Sequence, residues 1–70
     1  MQIVYFHDTD TVQVKLTENE VSETRELDEN VYIDVDKHGD LVSMTIEHAK
    51  EKANITNFSF QQISAHHHAA

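Results

Sequence analysis

Cysteine is missing from this chain altogether, which removes disulfide bridges and thiolate zinc sites from consideration. Glycine occurs once, at Gly39, too few to build a glycine-rich phosphate loop. Basic residues are scarce: five Lys and Arg stand against thirteen Asp and Glu, a net charge of −8. Such a chain repels nucleic-acid phosphates and anionic lipid surfaces, which argues against nucleic acid and membrane as partners. Any protein partner is expected to be basic, and the simpler reading, ranked first, is that the charge keeps a small protein in solution. No apolar run approaches the length that spans a bilayer. Met1–Phe6 lacks the basic region and cleavage site of a secretory leader, so the expected location is cytoplasmic.

Seventy residues make one small domain. A chain of about 60 residues buries only roughly 60% of the surface that its unfolded form exposes, and a lone monomer of this size is marginal. Without cysteine, the remedy most open to it is oligomerisation. We place the domain at residues 1–63. The end of the chain, residues 64–70, reads as an expression tag or cloning remnant because of His66, His67 and His68, and we set it apart from the fold.

Alternation of apolar and polar residues dominates the rest. Met1–Phe6 is mostly β-branched, aromatic or apolar and reads as a strand. After the turn residues His7, Asp8, Thr9 and Asp10, the run Thr11–Leu16 puts Val12, Val14 and Leu16 on one face with Gln13 and Lys15 on the other. Val21–Leu27 is too charged for a central strand and fits a solvent-washed edge. Val31, Ile33 and Val35 form the next inward set, and Val42, Met44 and Ile46 the one after it. Between them lies a turn at Lys37–Asp40, where Gly39 supplies the positive φ of a tight hairpin. Connections this short join antiparallel strands.

His48–Asn54 changes character. Ala49 and Ala53 share a helical face, Lys50 and Lys52 suit the end of a helix, and about two turns are expected. Ile55–Ile63, with Phe58 and Phe60, is expected to be extended. The fold class is therefore mainly β (α+β): an antiparallel meander of four to five strands, one short helix and a C-terminal extended segment. One short helix cannot cover the apolar face of such a sheet. Full burial of each Val, Ile or Met on it is worth about 1.5–3 kcal/mol, so either the Phe58–Ile63 segment or a second copy must cover the face. We expect a homodimer that buries Phe58 and Phe60 with several of Val12, Val14, Ile33 and Met44.

The most site-like constellation is Asp34, Asp36, His38 and Asp40 around Gly39. As a calcium loop it has acids at the first and third positions and glycine at the sixth, but Thr45 stands where a bidentate Glu belongs. Aspartates beside a glycine hairpin more often start the turn through local hydrogen bonds. The four residues stay as candidate metal ligands in a second reading, a metal- or small-ligand-binding module at the acidic hairpin turns, with an enzyme third. His7, Asp8 and Asp10 with His38 or His48 rank below them as ligands. No serine lies in a strained elbow and no pair of carboxylates has an evident pocket. The reading is therefore not an enzyme, with no catalytic residues, no cofactor and no cofactor-binding residues. Glu23, Arg25 and Glu26, in a segment crowded with Glu18, Glu20, Asp28 and Glu29, are the candidate partner-binding residues.

Taken together, the stretch from Tyr5, Asp8 and Asp10 through Val12, Val14 and Leu16, the element Glu23–Leu27, the hairpin Val31–Val42 and the closing Ile46, Glu47 and Ala49 resembles the small bacterial proteins grouped as domain of unknown function 2283. The resemblance spans nearly all of Met1–Ala49. Two departures, Val12-Gln13-Val14 and Ser43-Met44-Thr45-Ile46, keep the alternation, and the tail through Phe60 looks like a cyanobacterial-type variant. The resemblance implies a β-rich fold and carries over no catalytic residues. By context some members resemble antitoxins, which points to an interaction protein.

Overall fold

The computed structural model describes residues 1–64; the remaining histidine-containing tail lies outside the described residues. Five strands form one open sheet: β1 (Gln2–Phe6), β2 (Thr11–Lys15), β3 (Glu23–Asp28), β4 (Val31–Val35) and β5 (Leu41–Glu47). A one-turn helix, α1 (Ala49–Lys52), follows. Every neighbouring pair is antiparallel, in the order β1-β2-β5-β4-β3. Hairpins link β1 to β2 and join β3, β4 and β5. At the centre of the sheet β5, rather than β3, lies beside β2. The backbone carbonyl of Val42 accepts the amides of both Leu16 (2.8 Å) and Thr17 (3.2 Å). This double contact at a β-bulge fixes how the chain leaves β2.

Because paired residues point to the same side, register separates the two faces. One rung is Ile3–Val14–Met44–Ile33–Arg25 and the next is Tyr5–Val12–Ile46–Val31. These rungs make the apolar face. The opposite face carries Gln2–Lys15–Ser43–Asp34–Thr24 and Val4–Gln13–Thr45–Tyr32–Glu26. Alternation thus sorts the faces as the sequence implies.

The core is thin. Val12, Val35, Val42 and Ala49 are the buried apolar residues, and no large side chain among the described residues is fully buried. Helix α1 does not cover the sheet; it sits at one end, tied to the β1–β2 turn. The Asp10 carbonyl accepts the Ala49 amide (2.9 Å), and its carboxylate takes the Tyr5 hydroxyl (2.8 Å) and the Lys50 amide (3.2 Å). His48, in the left-handed region at φ 53°, cuts the helix off at its start, and Ala53 is already extended. For that reason the helix has one turn where spacing alone suggests two. Beyond it the chain turns at Ile55–Thr56 and runs on without adding a strand. Phe58 and Phe60 remain 65% and 71% exposed, so the segment does not fold across the sheet.

Candidate functional site

Strand β3 is the charged edge of the sheet, and all six of its residues are exposed. Charge explains why it ends the sheet: acids on a free edge discourage a further strand from pairing there. The candidate residues Glu23, Arg25 and Glu26 all lie on it, but they do not converge. Arg25 Nε meets Glu23 Oε2 at 3.0 Å on the apolar side. This contact holds the Glu23 carboxyl below its ordinary value, first through the hydrogen bond and then through the Arg25 charge. Glu26 points to the other face, in register with Tyr32.

Tyr32 is the member of this surface that charge counting overlooks. Its phenol is pushed above its ordinary value by Glu47 foremost, together with partial burial and the charges of Glu26 and Asp28. The negative field of these strands therefore overlaps at one aromatic ring on the polar face. In principle the signal was available in the sequence: Tyr32 lies opposite Glu26 once the Glu29–Asn30 hairpin is placed.

The Asp34–Asp40 constellation resolves into two separate structures. Asp34 belongs to a cross-strand rung, where its carboxylate accepts the hydroxyls of Thr24 (2.6 Å) and Ser43 (2.6 Å). Asp36, only 6% exposed, organises the β4–β5 turn. Its Oδ1 accepts the amides of His38 (2.9 Å) and Asp40 (3.0 Å), and its Oδ2 accepts the Asn19 side-chain amide (3.1 Å). The Asp40 amide foremost, helped by the His38 and Asn19 amides, holds this carboxyl below its ordinary value against the opposing effect of burial. The Gly39 amide closes on the Asp36 carbonyl (3.0 Å) and the Asp36 amide on the Asp40 carbonyl (2.9 Å). The result is a three-residue loop ending in a left-handed glycine, φ 86°.

Both carboxylates thus serve protein donors. Among the described residues, no group of three or more His, Asp or Glu side chains is arranged to hold a metal ion. His7, Asp8 and Asp10 share the β1–β2 turn, where Asp10 anchors the helix. His48 instead meets the Asn30 Oδ1 through Nδ1 at 2.8 Å. A shallow cleft of about 490 Å³ lies between Asn19–Ser22 and Asp36–His38. An apolar crevice of about 570 Å³ is formed by Met1, Ile3, Phe58 and Phe60.

The family model described as "Protein of unknown function (DUF2283)" matches residues 2–50. The chain belongs to this family. Its matched region ends within α1 and so contains the whole five-stranded sheet, whereas the Phe58–Phe60 segment lies beyond it. No curated protein and no solved structure matches the chain. No helix among the described residues is long and apolar enough to cross a membrane.

Proposed function

We propose that this family member is a small non-catalytic interaction module that takes a basic protein partner on the acidic β3 edge and the adjoining polar face. The observation that supports this reading is the exposure of all six β3 residues at a sheet edge, with Glu26 beside Tyr32 and Glu47 on the neighbouring strands. Glu18, Glu20 and Glu29, all exposed, extend the same negative rim along the flanking connections. Arg25 is the one cation on the strand, and Glu23 already engages it. A basic protein of the nuclease-toxin kind has the matching chemistry, and an antitoxin-like role follows from it. Complementary charge of this sort mainly accelerates encounter and fades with salt.

The test is charge reversal. With a partner captured from the source cell, Glu23→Lys combined with Glu26→Lys is expected to slow association about tenfold at low ionic strength, with the difference vanishing at high salt. Equal association rates at low salt would overturn the proposal and leave protection of the sheet edge as the role of these charges.

A further inference from the structure

The opposite face of the sheet poses a separate problem. Ile3, Tyr5, Val14, Val31, Ile33, Met44 and Ile46 stand on it, yet none of them is buried. Helix α1 sits at one end of the sheet, and the Phe58–Phe60 segment reaches this face only at Ile3, on the β1 corner. We infer that this face is the contact surface of a homodimer, two sheets packed face to face with the Phe58–Phe60 segment of each copy closed into the interface.

Charge selects a second copy as the occupant. The chain as a whole carries −8, but the charged residues in register with this face are Glu23, Arg25 and Asp28. Glu23 and Arg25 pair with each other, and the Asp28 carboxylate accepts the amide of Asn30 in its own hairpin (2.7 Å). What remains is apolar and nearly neutral. It offers nothing to a basic partner and matches an identical surface, as a two-fold isologous contact requires. Two such sheets pack about 10 Å apart with strands within roughly 30° of one another.

Area brings in the aromatic segment. Five strands at about 4.8 Å spacing and five residues at about 3.4 Å give a flat face of roughly 350–400 Å². A stable interface takes about 800 Å² from each partner. The sheet alone falls short. The exposed Phe58 and Phe60 already border Ile3 in the crevice at the β1 corner, and a phenylalanine offers about 150–250 Å² when buried. These rings bring the contact close to the required size.

The experiment is sedimentation equilibrium of the full chain with melting curves across a hundredfold range of protomer concentration. The expected mass at tens of micromolar is twice the 8.1 kDa chain, with a melting midpoint that rises with concentration. Because two copies of like net charge repel, added salt should leave the dimer as tight or tighten it, opposite to the response of a basic partner. Phe58→Ser with Phe60→Ser, outside every strand, should weaken dimerisation at least tenfold while the strand content by circular dichroism stays. Thr45→Lys, on the polar face, should leave the dimer intact, whereas Met44→Lys should abolish it. A monomer mass with cooperative unfolding independent of concentration would overturn the inference, as would a monomer that folds only with a captured foreign protein. An unchanged dimer in the double phenylalanine variant would overturn the part assigned to the tail.

Discussion

Substitution of Gly39 isolates a single energetic contribution. Its φ is +86°, and a Cβ added there meets no heavy atom within 4 Å. A Cβ therefore collides with nothing beyond its own chain neighbours, and the effect of alanine is conformational. An L-residue in the left-handed region costs about 1–2 kcal/mol. Losing the freedom of glycine in the unfolded chain returns about 0.4–1 kcal/mol. Gly39→Ala is then expected to destabilise by about 1 kcal/mol, the difference between those two effects. Gly39→Val should cost more because branching at Cβ stiffens the residue, and Gly39→Asn less because asparagine tolerates this region. In a domain of this size about 1 kcal/mol moves Tm by about 4–8 °C. Thermal and urea unfolding at one fixed protomer concentration measure the series. An Asn variant less stable than the Ala variant would refute the reasoning, since space rather than φ would then decide; so would an Ala variant that melts with the parent.

Three further outcomes follow from the hydrogen-bond hubs. Asp36 has a folded pKa below its unfolded value of 3.8, so its contribution is complete above that value and is lost as pH falls through the lower folded one, where the unfolded chain binds more protons. Acid melting curves of the parent should therefore fall more steeply below pH 3.8 than those of Asp36→Asn, and parallel curves would contradict this. Tyr5 has a folded pKa above 10.0, raised first by its hydrogen bond to Asp10, so its contribution is complete below 10.0 and is lost as pH rises through the folded value. Tyr5→Phe should flatten the alkaline loss, as measured by melting against pH. Asp10→Ala, which removes the acceptor of the Tyr5 hydroxyl and the Lys50 amide, should destabilise by about 1–2 kcal/mol; urea midpoints matching the parent would show that the helix is held by something else.

Which residues face which way was legible in the sequence, because strand period forces Val12 with Val14 and Met44 with Ile46 onto common sides. The exposed edge was legible too, since Glu23–Glu26 suits no interior strand. Which strands become neighbours was not. Alternation is silent about partners, and nothing in the side-chain pattern of β2 marks β5 rather than β3 as its neighbour. The length of α1 turned on the left-handed His48, equally invisible to spacing. Asp36 was legible in its role as well, because an aspartate beside a glycine hairpin starts the turn through local hydrogen bonds, as Asp36 does with the His38 and Asp40 amides. The Asn19 amide that completes its shell was not, since it comes from another connection. Tyr32 was missed because it is uncharged, and its significance lies in the carboxylates around it.

The strand order has a consequence for how the chain finds its fold. β1–β2 and β3–β4–β5 each close through short loops and can form from nearby residues. The seam from Thr11↔Glu47 to Lys15↔Ser43 must bring together segments about half the domain apart in sequence. Loop-closure entropy falls on that seam before any of its contacts repay it, and non-local pairing of this kind slows folding. The topology therefore makes the β2–β5 seam the expected kinetic bottleneck, with the two locally closed halves forming ahead of it. Val14→Ala is expected to slow refolding while Ile3→Ala, on the outer strand, mainly speeds unfolding; the reverse pattern in stopped-flow traces would place the nucleus in the β1–β2 hairpin instead.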